Sequence, residues 1–286
     1  MAEIDIIIIN YNSTDHLLSC LDSIRCALGV LRAEILVVDN ASSDDVERVQ
    51  VTFPGVQLIK NRTNLGFARA VNQGIQKSSS PCVMILNPDT LMSNDFFSKA
   101  LEFIDQHPDV GIMGPKILDP DGSVQGSARS FPTPLTAIFG RTSLLTRLLP
   151  KNPISRRNIL TAKTDGQTPM PVDWVSGACM LVRRRAIDDV GPMDEHFFMY
   201  WEDADWCRRM WDGGWSVVYY PGASLIHHVG TSSRKNFVRS TFEFHRSTFN
   251  FYKKYSPRAT FLIMLPFLFG GLGLRFLVVL LKGFRH

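Results

Sequence analysis

The sequence predicts an α/β fold with a mostly parallel central sheet, on three observations. IDIIII at 4–9 and EILVVDN at 34–40 are β-branched runs without alternation, the pattern of strands covered on both faces. Between them, Leu17, Leu18, Leu21, Ile24 and Leu28 recur at helical spacing over 14–28, and strands that alternate with helices build a parallel sheet. Finally, Asn10, Asp39, Asn61 and Asn87 each stand where an apolar run stops, and ligands of such sheets bind outside the carboxyl ends of the strands.

Taken in order, the start MAEIDIIIINYN carries acids rather than a basic region and reads as a strand, not a secretory leader. VQLIKN at 56–61 is a third, shorter strand and GFARAVNQGIQKS at 66–78 a helix. CVMILNPDT at 82–90 is a fourth strand running into a proline-containing turn. Residues 119–170, rich in Pro, Gly, Ser and Arg, have little periodicity and read as a long, partly mobile segment over the site. Strand-like patterns return at 172–186 and 215–220, and MYWEDADWCRRM at 199–210 opens a helix.

Residues 235–255 predict an amphipathic helix. Phe237, Phe244 and Phe251 recur every seventh position with Phe242 and Phe249 beside them, and so do Arg239, Arg246 and Lys253. At about 100° per residue the two rows lie about 200° apart. Such a helix lies on a membrane surface or packs on the preceding domain with its basic face in water; the apolar run behind it favours the membrane. That run, residues 259–281, carries one charge, Arg275, in 23 residues and is long enough to span a bilayer. Pro266, Gly270, Gly271, Gly273 and Arg275 interrupt it, so a spanning or re-entrant segment, an interfacial hairpin and a core helix all remain open.

Charge divides the chain the same way. From Arg234 onward there are ten Lys or Arg and one acid, Glu243, against 21 basic and 26 acidic residues before it. We therefore expect a body over 1–233 and a helical membrane-association region over 234–286, facing anionic lipid or phosphate; a largely apolar tail suits nucleic acid poorly. Five cysteines without a CxxC pair exclude a disulfide framework and fit a reducing compartment. No GxGxxG follows the first strand and no GxxxxGK occurs, which removes the main support for dinucleotide and P-loop readings.

Three stretches carry chemistry. Asp39 at a strand end suits the ring N–H of a pyrimidine base, or simply satisfies backbone groups. Asp89 in NPDT at 87–90 suits Mg²⁺ or Mn²⁺ held against a diphosphate, or a turn that caps the next helix. Glu202, Asp203 and Asp205 crowd together among Phe197, Phe198, Tyr200, Trp201, Trp206 and Trp211, as a site or as an acidic first helical turn.

IIIINYNS, EILVVDNASSD, NRTNLGFARAVNQGI, ILNPDT, WVSGACMLVRR, FFMYWEDADWCRR and PGASLIHHVG occur in that order over residues 4–230. This succession resembles the inverting glycosyltransferases of family 2, in particular their bacterial rhamnosyltransferase-like branch, over about four fifths of the chain. The resemblance implies a GT-A nucleotide-sugar fold. It implies donor contacts at Asn10, Tyr11, Asp39, Asn40, Asn64, Gly66, Phe67, Asn72 and Asn87. Where the family often has Asp-x-Asp, this chain has Asn87-Pro88-Asp89, so Asp89 is the ionised metal ligand, with His227 as its partner and Mg²⁺ or Mn²⁺ as cofactor. It makes Asp203 the base that deprotonates the acceptor hydroxyl and Glu202 its neighbour that orients the acceptor. Tyr200 and Trp201 offer flat faces to the acceptor sugar, and Asp205 pairs with Arg208 or Arg209.

The expected activity is transfer of a sugar, L-rhamnose from dTDP-rhamnose, to a glycan or a polyprenyl-diphosphate-linked acceptor in cell-envelope polysaccharide synthesis, at the cytoplasmic face of the membrane. The alternative is a catalytically weak glycan- or lipid-binding scaffold of the same fold.

Overall fold

The computed structural model describes residues 3–133, 159–228 and 237–283. In chain order its elements are β1 (Ile4–Asn10), α1 (Thr14–Leu28), β2 (Ala33–Asp39), α2 (Arg48–Thr52), β3 (Gln57–Lys60), α3 (Phe67–Lys77), β4 (Cys82–Leu86), β5 (Thr90–Met92), α4 (Phe96–Gln106), β6 (Val110–Leu118) and β7 (Ala128–Arg129). There follow β8 (Met170–Pro171), β9 (Trp174–Val175), β10 (Cys179–Arg183), α5 (Arg184–Val190), α6 (Glu202–Asp212), β11 (Ser216–His227), α7 (Phe237–Tyr255) and α8 (Arg258–Gly283).

The main sheet runs β3-β2-β1-β4-β10-β6-β11-β5, with β8 paired to β11. Its first half, β3 to β4, is parallel throughout, as the alternation of strands and helices predicts. β10 then enters antiparallel to both β4 and β6, while β6 and β11 are parallel again. β1 shows why its sequence does not alternate. Ile4, Ile6 and Ile8 belong to the core on one face, with Leu17, Leu21 and Ile24 of α1. Ile7 and Ile9 belong to the core on the other, with Ala68, Val71 and Ile75 of α3. Burying each such side chain stabilises the fold by about 1.5–3 kcal/mol. Helix α3 lies so close that a Cβ on Gly74 would sit 2.4 Å from Ile7 Cγ2.

The predicted strand at 82–90 divides. Its apolar part is β4, Asn87–Asp89 form the turn, and Thr90 starts β5, which pairs antiparallel with the end of β11 at His227. That pairing brings the two ends of a 137-residue separation together, Thr90 opposite His227. Within 119–170 the described parts hold β7 and a short 3₁₀ turn at Leu160–Lys163; residues 134–158 of that expected mobile segment lie outside the described residues.

The amphipathic helix is α7, and its two rows separate as the spacing requires, but the aromatic row meets protein. Phe251 and Tyr252 are buried, Phe244 and Phe251 pack on Trp201, and Arg246 and Lys253 face solvent. The expectation that this row faces lipid is therefore corrected at Phe244 and Phe251: Trp201 already offers an apolar face that they cover. Helix α8 packs back on α7 through Phe249, Phe261 and Phe269. Among the described residues no helix is long and apolar enough to cross a membrane.

Candidate active site

The carboxyl ends of β1 and β2 meet in a polar corner. Asn10 donates from Nδ2 to Asp39 Oδ1 at 2.9 Å and to Ser42 Oγ at 3.1 Å. Asp39 also accepts from the Ser42 backbone at 3.1 Å. Both residues are buried, and Asn10 Oδ1 has no partner among the described residues. Tyr11, next along the chain, is partly exposed.

Asn40 is the hub of the adjoining loop. Its Nδ2 donates to Asn64 Oδ1 at 3.0 Å and to Gly66 O at 3.1 Å, and its Oδ1 accepts from Asn61 Nδ2 at 3.2 Å and from Leu65 N at 2.9 Å. Gly66 precedes α3 with φ 90°, and a Cβ there would lie 2.5 Å from Phe198 O. Only glycine combines this backbone conformation with so close an approach. Phe67 N donates to that same carbonyl at 2.7 Å. Asn72 is turned away from this corner. Its amide bonds Met193 N, Met193 O and Glu195 Oε1 at 3.0, 2.9 and 3.1 Å, anchoring the 193–195 loop to α3.

The turn after β4 holds the second group of residues. Asp89 Oδ1 lies 3.2 Å from His227 Nε2, both side chains being 12 % exposed. Asn87 Nδ2 lies 3.4 Å from the same ring nitrogen. His227 Nδ1 faces Gln125 Oε1 at 3.1 Å, a partner that the sequence reading missed. Among the described residues no three His, Cys, Asp or Glu side chains cluster as a closed metal site. Asp89 and His227 nevertheless fit a hard or borderline cation: one carboxylate oxygen and one ring nitrogen sit close enough to share an ion. A cation of this kind completes its shell with water and substrate phosphate.

Asp203 lies in the first turn of α6, half-buried. Its Oδ2 accepts from Gly177 N at 2.9 Å and its Oδ1 from Ala204 N at 2.8 Å. Burial raises its carboxyl above the ordinary 3.8, while these backbone donors and the nearby Arg129 charge pull the other way. Glu202 is 6 % exposed, with Oε2 buried and unpartnered among the described residues. Burial first, and the Asp203 charge second, push it well above the ordinary 4.5. The two neighbouring acids thus differ in their surroundings: Glu202 Oε2 has no partner among the described residues, whereas two backbone N–H groups favour the charged form of Asp203. Asp205 is fully buried and structural, bonded to Arg209 Nε at 2.9 Å, Lys254 Nζ at 2.6 Å and Tyr255 Oη at 2.7 Å. Arg209 is thus the partner, and Arg208 instead stacks over Phe131.

One loop connects the two groups. Ala178 O accepts from Asn87 N at 2.9 Å and Gly177 N donates to Asp203, so consecutive residues between β9 and β10 hold the Asn87 turn and the carboxylate of α6. Tyr200 and Trp201, just before α6, both have left-handed backbones, φ 69° and 72°. Such conformations cost about 1–3 kcal/mol for non-glycine residues and persist where surroundings impose them. Here Trp201 O accepts the first α6 bond from Asp205 N, and the Trp201 ring packs among Trp174, Phe244 and Phe251.

An Asn–Asp corner, an Asp–His pair and a half-buried carboxylate thus lie along the edge where the parallel strands of one sheet end. Comparison with known proteins gives the family. The family model described as Glycosyl transferase family 2 matches residues 5–191, and the chain belongs to that family. It is 32 % identical over 258 residues to the N-acetylglucosaminyl-diphospho-decaprenol L-rhamnosyltransferase of Mycobacterium tuberculosis, covering 86 % of this chain and 82 % of the relative. It is 26 % identical to the dTDP-rhamnosyl transferase RfbF of Shigella flexneri, over 80 % of this chain and 70 % of that protein. Among solved structures, the mannosyltransferase PcManGT of Pyrobaculum calidifontis, in complex with GDP-Man and Mn²⁺, aligns with TM-score 0.59 at 16 % identity. It covers 93 % of this chain and 69 % of its own. At that identity the likeness shows the fold.

Proposed function

We propose that this glycosyltransferase moves L-rhamnose from dTDP-rhamnose, with inversion, onto a polyprenyl-diphosphate-linked glycan at a membrane surface. The observation that carries the reaction type is the Asp203 carboxylate, half-buried and tied through Gly177 and Ala178 to the Asn87 turn. The dTDP-rhamnosyl transferase of Shigella flexneri and the decaprenol-linked rhamnosyltransferase of Mycobacterium tuberculosis among the chain's relatives support the donor and acceptor reading.

The Asn10–Asp39 corner and Tyr11 take the nucleoside, and the Asn40, Asn64, Gly66 and Phe67 loop underlies the diphosphate and sugar. Asn72 does not join them, and instead anchors the 193–195 loop to α3. Asn87, Asp89 and His227 face the diphosphate, and Asp89 and His227 would hold Mg²⁺ or Mn²⁺, which would neutralise charge on the departing nucleoside diphosphate. The acceptor lies against Tyr200 and Trp201. Its hydroxyl gives its proton to Asp203 as the oxygen forms a bond to the anomeric carbon and the carbon–oxygen bond to the diphosphate breaks on the opposite face. Glu202 is buried next to Asp203 rather than turned toward the acceptor. Apolar side chains exposed on α8, Leu262, Ile263 and Phe269, with the basic residues of the tail, favour a membrane surface as the place of encounter.

A nucleotide-sugar screen by thermal shift, with and without Mn²⁺, tests the donor, followed by transfer to N-acetylglucosaminyl-diphospho-polyprenol. The largest shift is expected with dTDP-rhamnose and Mn²⁺, and a product of inverted configuration. A larger response to another donor corrects the sugar. Binding without any transfer or donor hydrolysis favours the scaffold reading.

A further inference from the structure

We propose that Gln125 is a positioning residue: it fixes the His227 ring as the Nδ1–H tautomer and so presents the Nε2 lone pair beside Asp89. The inference rests on the reading of Asp89 and His227 as cation ligands and deepens it.

The amide of Gln125 has one possible orientation. Its Nε2 lies 2.8 Å from Asp119 Oδ1 and 2.9 Å from His227 O. A carboxylate and a carbonyl only accept, so that atom is the NH₂ group. Its Oε1 is therefore the acceptor, and it stands 3.1 Å from His227 Nδ1. The ring must donate there, which puts a proton on Nδ1 and, in the neutral ring, leaves Nε2 bare. Nε2 then meets Asn87 Nδ2, a donor, at 3.4 Å and Asp89 Oδ1, an acceptor, at 3.2 Å. Two electron-pair donors facing each other at that distance suit a cation between them. The other tautomer would turn an N–H toward Asp89 and close the pair on itself. The Gln125 backbone is also fixed, its N–H bonded to Ile117 O at 2.8 Å on the end of β6. Side-chain and main-chain anchors together make Gln125 a rigid mount for a ring 102 positions away.

The test uses the full chain with ¹⁵N-labelled histidine. Long-range ¹H–¹⁵N spectra of the metal-free protein at about pH 8.5, roughly two units above the ordinary imidazole value, report the tautomer, and a His227→Gln variant identifies the signal. Wild type is expected as Nδ1–H. Gln125→Met should release the ring to the Nε2–H form or a mixture, and Mn²⁺ affinity measured by electron paramagnetic resonance should fall about 10–100-fold, the usual effect of losing such a support. Finding Nε2–H in wild type overturns the proposal even if the variant does not fold. A folded Gln125→Met protein with an unchanged tautomer, or with Mn²⁺ affinity within about twofold of wild type, overturns it as well. A wild type that shows Nδ1–H, loses it in the variant and binds no Mn²⁺ supports the tautomer assignment and sinks the metal reading instead.

Discussion

Asp203 and Glu202 are adjacent carboxylates in unlike surroundings, one hydrogen-bonded by two backbone N–H groups and one buried with an oxygen unpartnered among the described residues. Replacing Asp203 by Asn keeps one acceptor oxygen for the Gly177 N–H but removes the base. Turnover should fall about 10²–10⁴-fold with donor affinity retained, measured as kcat for transfer beside nucleotide binding. Near-normal turnover would move the base to Glu202. Because burial raises Asp203, the acid limb of the kcat/KM profile should lie above pH 3.8, activity dropping as the pH falls and the carboxylate takes up its proton. Glu202 bears on stability instead. Its folded value is raised, so its contribution is fully present below the unfolded value near 4.5 and is lost as pH rises through the folded one. Glu202→Gln, always neutral, should therefore raise Tm at neutral pH, and the gain should vanish below about pH 4. Equal Tm gains at both pH values would contradict a raised Glu202 carboxyl.

At the scale of elements, α7 holds the entrance to α6. Lys254 bridges Asp194 and the buried Asp205 at 2.7 and 2.6 Å, Ser247 Oγ donates to Met199 O at 2.9 Å, and Phe251 covers Trp201. These contacts over-determine the two left-handed residues in front of the base. Lys254→Met should lower Tm and raise the KM for acceptor while leaving nucleotide-sugar binding unchanged; an unaltered acceptor KM would detach α7 from the site. For the same reason a chain cut after Tyr255 should keep donor binding, whereas a cut before α7 exposes Trp201 and strips two of the three partners from Asp205. That second protein should melt lower or aggregate, read by thermal shift on both. An amphipathic pattern specifies that one face is covered and one is wet. It does not specify whether lipid or protein does the covering, and this is why the Phe244–Phe251 face was legible as buried but not as docked on Trp201.

For the whole molecule, the parallel half of the sheet was legible because two-sided burial leaves unalternating runs, and the residues at its strand ends fell where expected. The other half was not. β6 is interrupted by Gly111, Gly114 and Pro115, which dilutes its pattern, and no local periodicity carries the antiparallel entry of β10 between β4 and β6. Of the candidate site, Asp89, Asp203 and His227 stood out by motif, but Gln125 lies in a stretch without periodicity and meets His227 only through the fold. The tail defines a prediction at this scale. The full chain should sediment with anionic vesicles, through about 1 kcal/mol for each basic residue near the surface and the apolar side chains of α8. Salt should weaken this binding more in a chain ending at Tyr255. A full chain that stays in the supernatant without detergent would remove the membrane from the proposal.

The tripeptide Ser176–Gly177–Ala178 has a further consequence as a ruler. Asn87 N is tied to Ala178 and Asp203 Oδ2 to Gly177, so the separation between the Asn87 turn and the Asp203 carboxylate is set by one residue step of a strand connection rather than by two independently placed loops. A Cβ on Gly177 would sit 3.6 Å from both Asp203 Oδ2 and Phe67 Cε1, ordinary contact that narrows the gap without breaking the mount. In the proposed reaction Gly177→Ala should therefore alter the KM for acceptor more than nucleotide-sugar binding, and equal changes in both would detach this position from acceptor choice.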